Sequence, residues 1–169
     1  ELCVSRQDIP VASMCAIEYY EDSLLPLARL YNLERELDQA LQEKIWLKSG
    51  GFLIIQQTEA FVAIDVNTGK HSSKKDAEEN YKQINREAAL EIARQLRLRN
   101  LSGMILVDFI NMKNTNDQSE LLQYMGSLVR SDPMQTVVVD VTALGIMEIT
   151  RKKSAKTLAE QLLQLKKGE

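Results

Sequence analysis

Two short apolar runs in the 169-residue chain each carry one aspartate near the carboxyl end. The first run, residues 61–67, contains Asp65 and Asn67, and the second, residues 104–110, contains Asp108. Both runs are rich in β-branched residues and nearly free of other polar side chains, a pattern that predicts buried strands. A carboxylate at such a position is costly to bury unless it is paired, hydrogen-bonded or bound to a cation. We therefore expect the two carboxylates to meet at one edge of a sheet.

The spacing of these residues is compatible with a metal site. Asp65 and Asn67 are two residues apart on a strand, so their side chains share a face. Ligands of open α/β sheets bind beyond the carboxyl ends of the strands, where Asp65 and Asp108 lie together if their strands are parallel neighbours. Mg²⁺ often binds one or two carboxylates while keeping several waters, and it can activate a water against a phosphodiester. The aspartates could equally be helix caps or turn formers, and spacing alone leaves both interpretations open.

Other polar residues near these runs have weaker claims to a function. Lys70, Lys74 and Lys75 lie in the polar loop between the runs and could hold phosphates, although a solvated charged loop has the same composition. His71, the only histidine, lies in that loop, so Ser–His and Cys–His nucleophiles have little support. Asp140 ends a third apolar run, where it could support the site or act as a packing or capping residue.

Composition places the chain among globular proteins and excludes some functions. It is 44% apolar and 27% charged, has no apolar run long enough to span a bilayer, and does not begin like a signal peptide. Cys3 and Cys15 lack metal-site spacing and indicate free thiols in a reducing compartment. The net charge of −3 argues against a strong electrostatic footprint for nucleic acid. Residues 48–169 are mildly basic, however, because the acidic excess lies in residues 1–47.

The elements that position these residues predict an α/β fold. We expect a mostly helical N-terminal segment, followed by a mixed sheet with flanking helices in the order ββαβαββα. The strand–helix–strand succession between the two aspartates favours parallel pairing. The D-x-x-E spacings that begin at Asp76 and Asp117 predict helix caps. The predicted strands are 1–10 (with a turn), 52–57, 61–66, 104–110, 136–141 (buried) and 146–150, and the predicted helices are 26–42, 76–99, 117–130 and one that ends at Lys167.

Several longer motifs resemble those of one known family. They are Ser-Gly-Gly at 49–51, Thr-Glu-Ala at 58–60, AIDVNTG at 63–69, NREAA at 85–89, EIARQLRLR at 91–99, VDFI at 107–110 and LGIMEITRKK at 144–153. At these residues the chain resembles the ribonuclease E/G family of bacterial endoribonucleases, in register over residues 47–153. Residues 1–47 are less similar, and they resemble the end of the family's RNase H-like subdomain.

The resemblance implies an activity and a site. It implies that residues 48–153 are a deoxyribonuclease-I-like catalytic subdomain, with residues 154–169 as a C-terminal helix. The family's Mg²⁺-binding aspartates fall on Asp65 and Asp108, and the asparagine that orients one of them falls on Asn67. The implied reaction is hydrolysis of single-stranded RNA to 5′-phosphate and 3′-hydroxyl ends, in the cytoplasm, during RNA processing and decay.

Parts of the family pattern are missing from this sequence. It contains no OB-fold RNA-binding domain and no 5′-end sensor, so we expect a fragment, a trimmed chain or a shortened homologue. The zinc-link cysteines of the family should follow residue 153, but residues 154–158 read SAKTL. Ala143 also stands where the family often has a basic residue. A homo-oligomer is left open, but one linked by zinc is not expected.

Two other functions remain as alternatives. A non-catalytic RNA-binding or assembly module could keep the fold without the reaction, and the low basicity and missing RNA-binding parts favour it. A metal-dependent phosphodiesterase with another substrate would use the same carboxylates. The intact Asp65, Asn67 and Asp108 favour the nuclease.

Overall fold

A six-stranded sheet of mixed direction organises the part of the chain that the computed structural model describes, residues 20–69 and 77–165. Its strands occur in the spatial order β1-β2-β3-β4-β6-β5. The strands are β1 (Lys44–Trp46), β2 (Phe52–Gln57), β3 (Phe61–Asn67), β4 (Gly103–Asp108), β5 (Thr136–Val141) and β6 (Ile146–Arg151), and the helices are α1 (Leu27–Leu30), α2 (Leu33–Ala40), α3 (Ala77–Leu98), α4 (Thr115–Val129) and α5 (Leu158–Leu165). Residues 20–36 and 37–165 belong to two separate compact units, and the sheet lies entirely in the second.

The centre of the sheet follows the predicted topology. Strands β2 and β3 form an antiparallel hairpin, and β3 and β4 are parallel neighbours. Strand β6 returns antiparallel to β4. The α/β class and the order ββαβαββα from residue 52 onward are therefore confirmed. Strand β1 was not predicted, because three residues are too few to show an alternating pattern.

The core lies on one face of the sheet. Alternate residues of β2, β3, β4 and β6 pack there against the apolar side of α3 and α4. Burial of each large aliphatic side chain contributes about 1.5–3 kcal/mol. The fully buried members with the largest side chains include Leu53, Ile64, Ile84, Ile92, Leu96, Ile105, Met125 and Ile149. We call the opposite face the open face. It carries Trp46, Phe52, Asp65, Asn67 and Asp108, each of which is half-buried or exposed.

Two helix predictions were wrong in detail. The single helix expected over residues 26–42 is interrupted between α1 and α2, where Asn32 adopts a positive φ of 51°. Asparagine tolerates this left-handed conformation better than most residues. Asp117 is not the cap of α4. Asn114 is the cap, and its side chain accepts a hydrogen bond from the Asn116 N–H. The cap predicted at Asp76 lies outside the described residues.

Strand β5 was predicted to be buried, and this was wrong. It lies at the edge of the sheet, where Val137 and Val139 are 46% and 55% exposed. The run of valines does not show whether the strand is central or at the edge, because strands in either position can be rich in apolar residues. The strand expected in residues 1–10 and the last residues of the C-terminal helix lie outside the described part. No described helix is long and apolar enough to cross a membrane.

Candidate active site

Asp65 and Asp108 lie directly opposite each other on neighbouring parallel strands. Asp65 is the third residue from the end of β3, and Asp108 is the last residue of β4. Their backbones are therefore about 4.8 Å apart, the usual spacing of paired strands. Both side chains are exposed on the open face. The meeting of two carboxylates at one edge of the sheet is the arrangement predicted from the sequence.

Asn67 contacts the first of these aspartates. Its side-chain Nδ2–H donates a hydrogen bond of 2.8 Å to Oδ2 of Asp65. The two residues can meet because they are two apart on the same strand face. The hydrogen bond restrains the Asp65 carboxylate and leaves the Asn67 amide oxygen on the same side as the pair.

The pair lines an open depression of about 280 Å³. Its walls are Asp65, Val66, Asn67, Thr68, Asp108, Phe109, Ile110 and Asn111. Carboxylate and amide oxygens suit a hard cation that keeps part of its water shell, as Mg²⁺ does. Among residues 20–69 and 77–165, no three His, Cys, Asp or Glu side chains cluster as metal ligands. Asp65, Asp108 and the Asn67 amide oxygen are the donors that such a cation could use at this place.

A buried asparagine of α3 supports the segment after Asp108. Asn85 is fully buried. Its Nδ2–H donates to the Ile110 carbonyl oxygen at 2.8 Å, and its Oδ1 accepts from the Ile110 N–H at 3.0 Å. The N–H and carbonyl groups of Ile110, which lies beyond the end of β4 and has no strand partner, are thus both hydrogen-bonded. Asn85 fixes the path of the chain two residues beyond Asp108.

The turn at residues 49–51 lies against the end of β3. A Cβ atom on Gly51 would come within 2.8 Å of the Asn67 carbonyl oxygen and 2.9 Å of Cγ2 of Ile84. A Cβ on Gly69, which has a φ of +70°, would clash with the Gly50 carbonyl oxygen. The Ser49 N–H donates to Oε2 of Glu87 on α3 at 3.0 Å. Glycine is therefore required where this turn approaches the strand that carries Asp65 and Asn67.

Among the remaining candidate residues, the structure describes Asp140 alone. Lys70, Lys74 and Lys75 lie outside the described residues, so their phosphate-binding role stays a prediction, and His71 lies outside them as well. Asp140 is exposed on β5, which β6 separates from β4, and its Oδ1 accepts from the N–H of Val141. It therefore stabilises its own strand end, in agreement with the packing or capping interpretation.

Comparison with known proteins assigns the family. A sequence profile of the Ribonuclease E/G family matches residues 5–154. The chain belongs to the ribonuclease E/G family. Ribonuclease G of Escherichia coli (strain K12) is 40% identical over 137 residues, which are 81% of this chain and 28% of that protein. Ribonuclease E of Nostoc sp. (strain PCC 7120) is 38% identical over 144 residues, 85% of this chain and 21% of that protein.

The ribonuclease E/G match includes every strand of the sheet and the carboxylate pair. The chain nevertheless spans only about a quarter of the length of these curated relatives. Asn85 falls inside a motif that the chain shares with the family, but sequence reasoning assigned it no role. A polar residue beside Ile84, Ala88 and Ile92 on the apolar side of a helix was the signal that could have found it.

Proposed function

We propose that this chain is the catalytic subdomain of a Mg²⁺-dependent endoribonuclease that hydrolyses single-stranded RNA to 5′-phosphate and 3′-hydroxyl ends. The observation that carries the proposal is the pairing of Asp65 with Asp108 at the ends of parallel strands, with Asn67 hydrogen-bonded to Asp65. Family membership supports an RNA substrate, since the relatives are named ribonucleases.

The residues of the pair have separate roles in this proposal. Asp65 and Asp108 would hold Mg²⁺, and Asn67 keeps the Asp65 carboxylate oriented toward it. When bound, the ion supplies activation of a water and neutralisation of charge on the phosphodiester. Asn85 positions the chain beyond Asp108, so that the second carboxylate stays in register with the first. Lys70, Lys74 and Lys75 would contact RNA phosphates.

A non-catalytic RNA-binding or assembly module is the second candidate. The net charge of −3 favours the assembly form of this module, because a domain that binds nucleic acid on its own is usually basic. The same module would keep the fold and lose only the reaction.

Cleavage of a single-stranded oligoribonucleotide by Asp65→Asn and Asp108→Asn variants tests the proposal. Each substitution removes one negative charge from the pair and keeps the side-chain size, so we expect Mg²⁺-dependent cleavage to fall at least 100-fold, or about 2.7 kcal/mol in barrier height. Single-turnover conditions with excess protein compensate for weak RNA binding. Asp140→Asn is the matched control, because it removes the same charge from an exposed position on β5, which β6 separates from β4.

Two results would refute the assignment. Normal cleavage by the Asp65→Asn/Asp108→Asn double variant would show that the pair is not catalytic. RNA binding by the wild-type chain without cleavage at any Mg²⁺ concentration would favour the second candidate. Mapping of the product ends distinguishes the proposed hydrolysis from other cleavage reactions, because this hydrolysis leaves 5′-phosphate and 3′-hydroxyl termini.

A further inference from the structure

An aromatic pair, exposed at Trp46 and half-buried at Phe52, lies on the open face near the carboxylates. Trp46 of β1, the only tryptophan of the chain, is 64% exposed, and Phe52 of β2 lies directly opposite it. The two ring centroids are 5.3 Å apart, with the planes tilted by 60°. Single exposed aromatic residues are common on protein surfaces. A packed pair near a candidate active site is less common, and its exposed ring surface suits a ligand with a flat apolar face.

A lysine brings a positive charge to both rings. Nζ of Lys44 lies 4.1 Å from the centroid of the Trp46 ring and 3.8 Å from that of the Phe52 ring. Lys44 and Trp46 are two residues apart on β1, so both project from the open face. An apolar protein partner would have to desolvate this ammonium group, whereas a nucleotide offers a base for the rings and a phosphate for the charge.

Strand register places this cluster in line with the carboxylate pair. Trp46 lies opposite Phe52, which in turn lies opposite Asn67. In the adjacent row, Lys44 is followed across the sheet by Ile54, Asp65 and Asp108. Two strand spacings of about 4.8 Å separate the Trp46 and Asn67 backbones by roughly 10 Å. Asp108 lies one strand further, about 14 Å from β1, so a nucleic-acid strand that crosses the sheet at the pair can reach the aromatic rings with a base a few nucleotides away.

We infer that Lys44, Trp46 and Phe52 form a stacking subsite for a base of single-stranded RNA whose scissile phosphate lies at Asp65 and Asp108. This inference rests on the proposed function and adds to it a place where the strand is held. Stacking on aromatic side chains is tolerant of base identity, because every base has a flat π-face. The subsite would hold RNA in the single-stranded form without reading its sequence.

The single tryptophan makes the subsite directly observable. The full chain would be titrated with oligouridylate in EDTA, which removes Mg²⁺ and so prevents cleavage, while Trp46 fluorescence is recorded. We expect saturable quenching, with an affinity that weakens as the salt concentration rises. Trp46→Ala, followed by anisotropy of labelled oligouridylate, should weaken binding about tenfold, within the range measured for base–aromatic stacking. Trp46→Phe should restore most of the affinity. Met104→Ala is the control, since Met104 is 45% exposed on the same face at the other end of β4.

The outcomes separate this subsite from the proposed reaction. Asp108→Asn should abolish cleavage and leave the quenching unchanged. Quenching in a wild-type chain that cuts no RNA would support the subsite while refuting the nuclease. Affinity unaltered by Trp46→Ala, in a chain whose cleavage still depends on Asp108, would overturn the subsite alone. A blue shift of Trp46 emission with rising protein concentration in the absence of RNA would also overturn it, because a second copy would then cover the rings.

Discussion

Replacing Asn85 by alanine removes both hydrogen bonds that hold the Ile110 backbone beyond Asp108. The Asn85 side chain is fully buried and Ile110 is half-buried, so the Ile110 N–H and carbonyl groups would lose partners that water could replace only in part. An unsatisfied buried polar group costs about 1–3 kcal/mol, which for two groups gives roughly 2–6 kcal/mol. We expect the free energy of unfolding to fall by about 3 kcal/mol, since a water in the vacated space can replace part of the lost bonding.

Urea unfolding followed by far-ultraviolet circular dichroism measures this loss. Gln83→Ala is the matched control, because Gln83 is an exposed amide two residues away on α3. That change should alter stability by less than about 0.5 kcal/mol. Under conditions where Asn85→Ala remains folded, cleavage should also require more Mg²⁺, because the chain that follows Asp108 is no longer held. A loss of stability below about 1 kcal/mol would refute the role given to Asn85.

Two further predictions concern an ion pair at the other end of the sheet and a glycine near the end of β3. Burial alone would raise the pKa of Asp132, but hydrogen bonds from Arg151, the Met134 N–H and Thr136 lower that pKa to about 2, against 3.8 for the free side chain. The folded state therefore binds fewer protons than the unfolded one, so a stabilisation of roughly 2 kcal/mol is present above about pH 4 and is lost as the pH falls toward 2. Asp132→Asn should flatten that part of the stability profile in urea unfolding, and an unchanged slope would contradict the ion pair's role. Gly69→Ala should lower the melting temperature, because its Cβ would clash with the Gly50 carbonyl oxygen at a positive φ; a melting temperature equal to that of Gly126→Ala, where the added Cβ meets open space, would contradict this.

The central strands and the carboxylate pair could be predicted because their signals are local. Runs 61–67 and 104–110 are apolar and β-branched, and a helix-length segment between them makes parallel pairing the favoured arrangement. In the structure the strands are parallel neighbours, in a register that places Asp65 opposite Asp108. The hydrogen bond from Asn67 to Asp65 follows from the two-residue period of a strand.

Other features depend on partners that are distant in the sequence. The place of Asn85 among the apolar positions of α3 marks it as buried, but nothing near it in the chain indicates that its partner is the Ile110 backbone. The aromatic pair requires β1, whose three residues show no period, to pair with β2. Strand β5 is exposed because no further strand in the described part of the chain pairs with its outer side, and its valines do not encode that position. The helix is interrupted at Asn32 although the apolar pattern continues across it, because the backbone conformation of one residue can end a helix.

Titration of the chain with Mg²⁺, followed by NMR, tests the metal site most directly. Backbone and side-chain amide signals of Asp65, Asn67 and Asp108 would be recorded for the wild type, Asp108→Asn and the control Asp140→Asn. A saturable shift of these signals that is kept in Asp140→Asn and lost in Asp108→Asn is the predicted result. Shifts that are equally large in Asp108→Asn, or none in the wild type with or without an uncleavable single-stranded RNA analogue, would contradict a metal site at this pair.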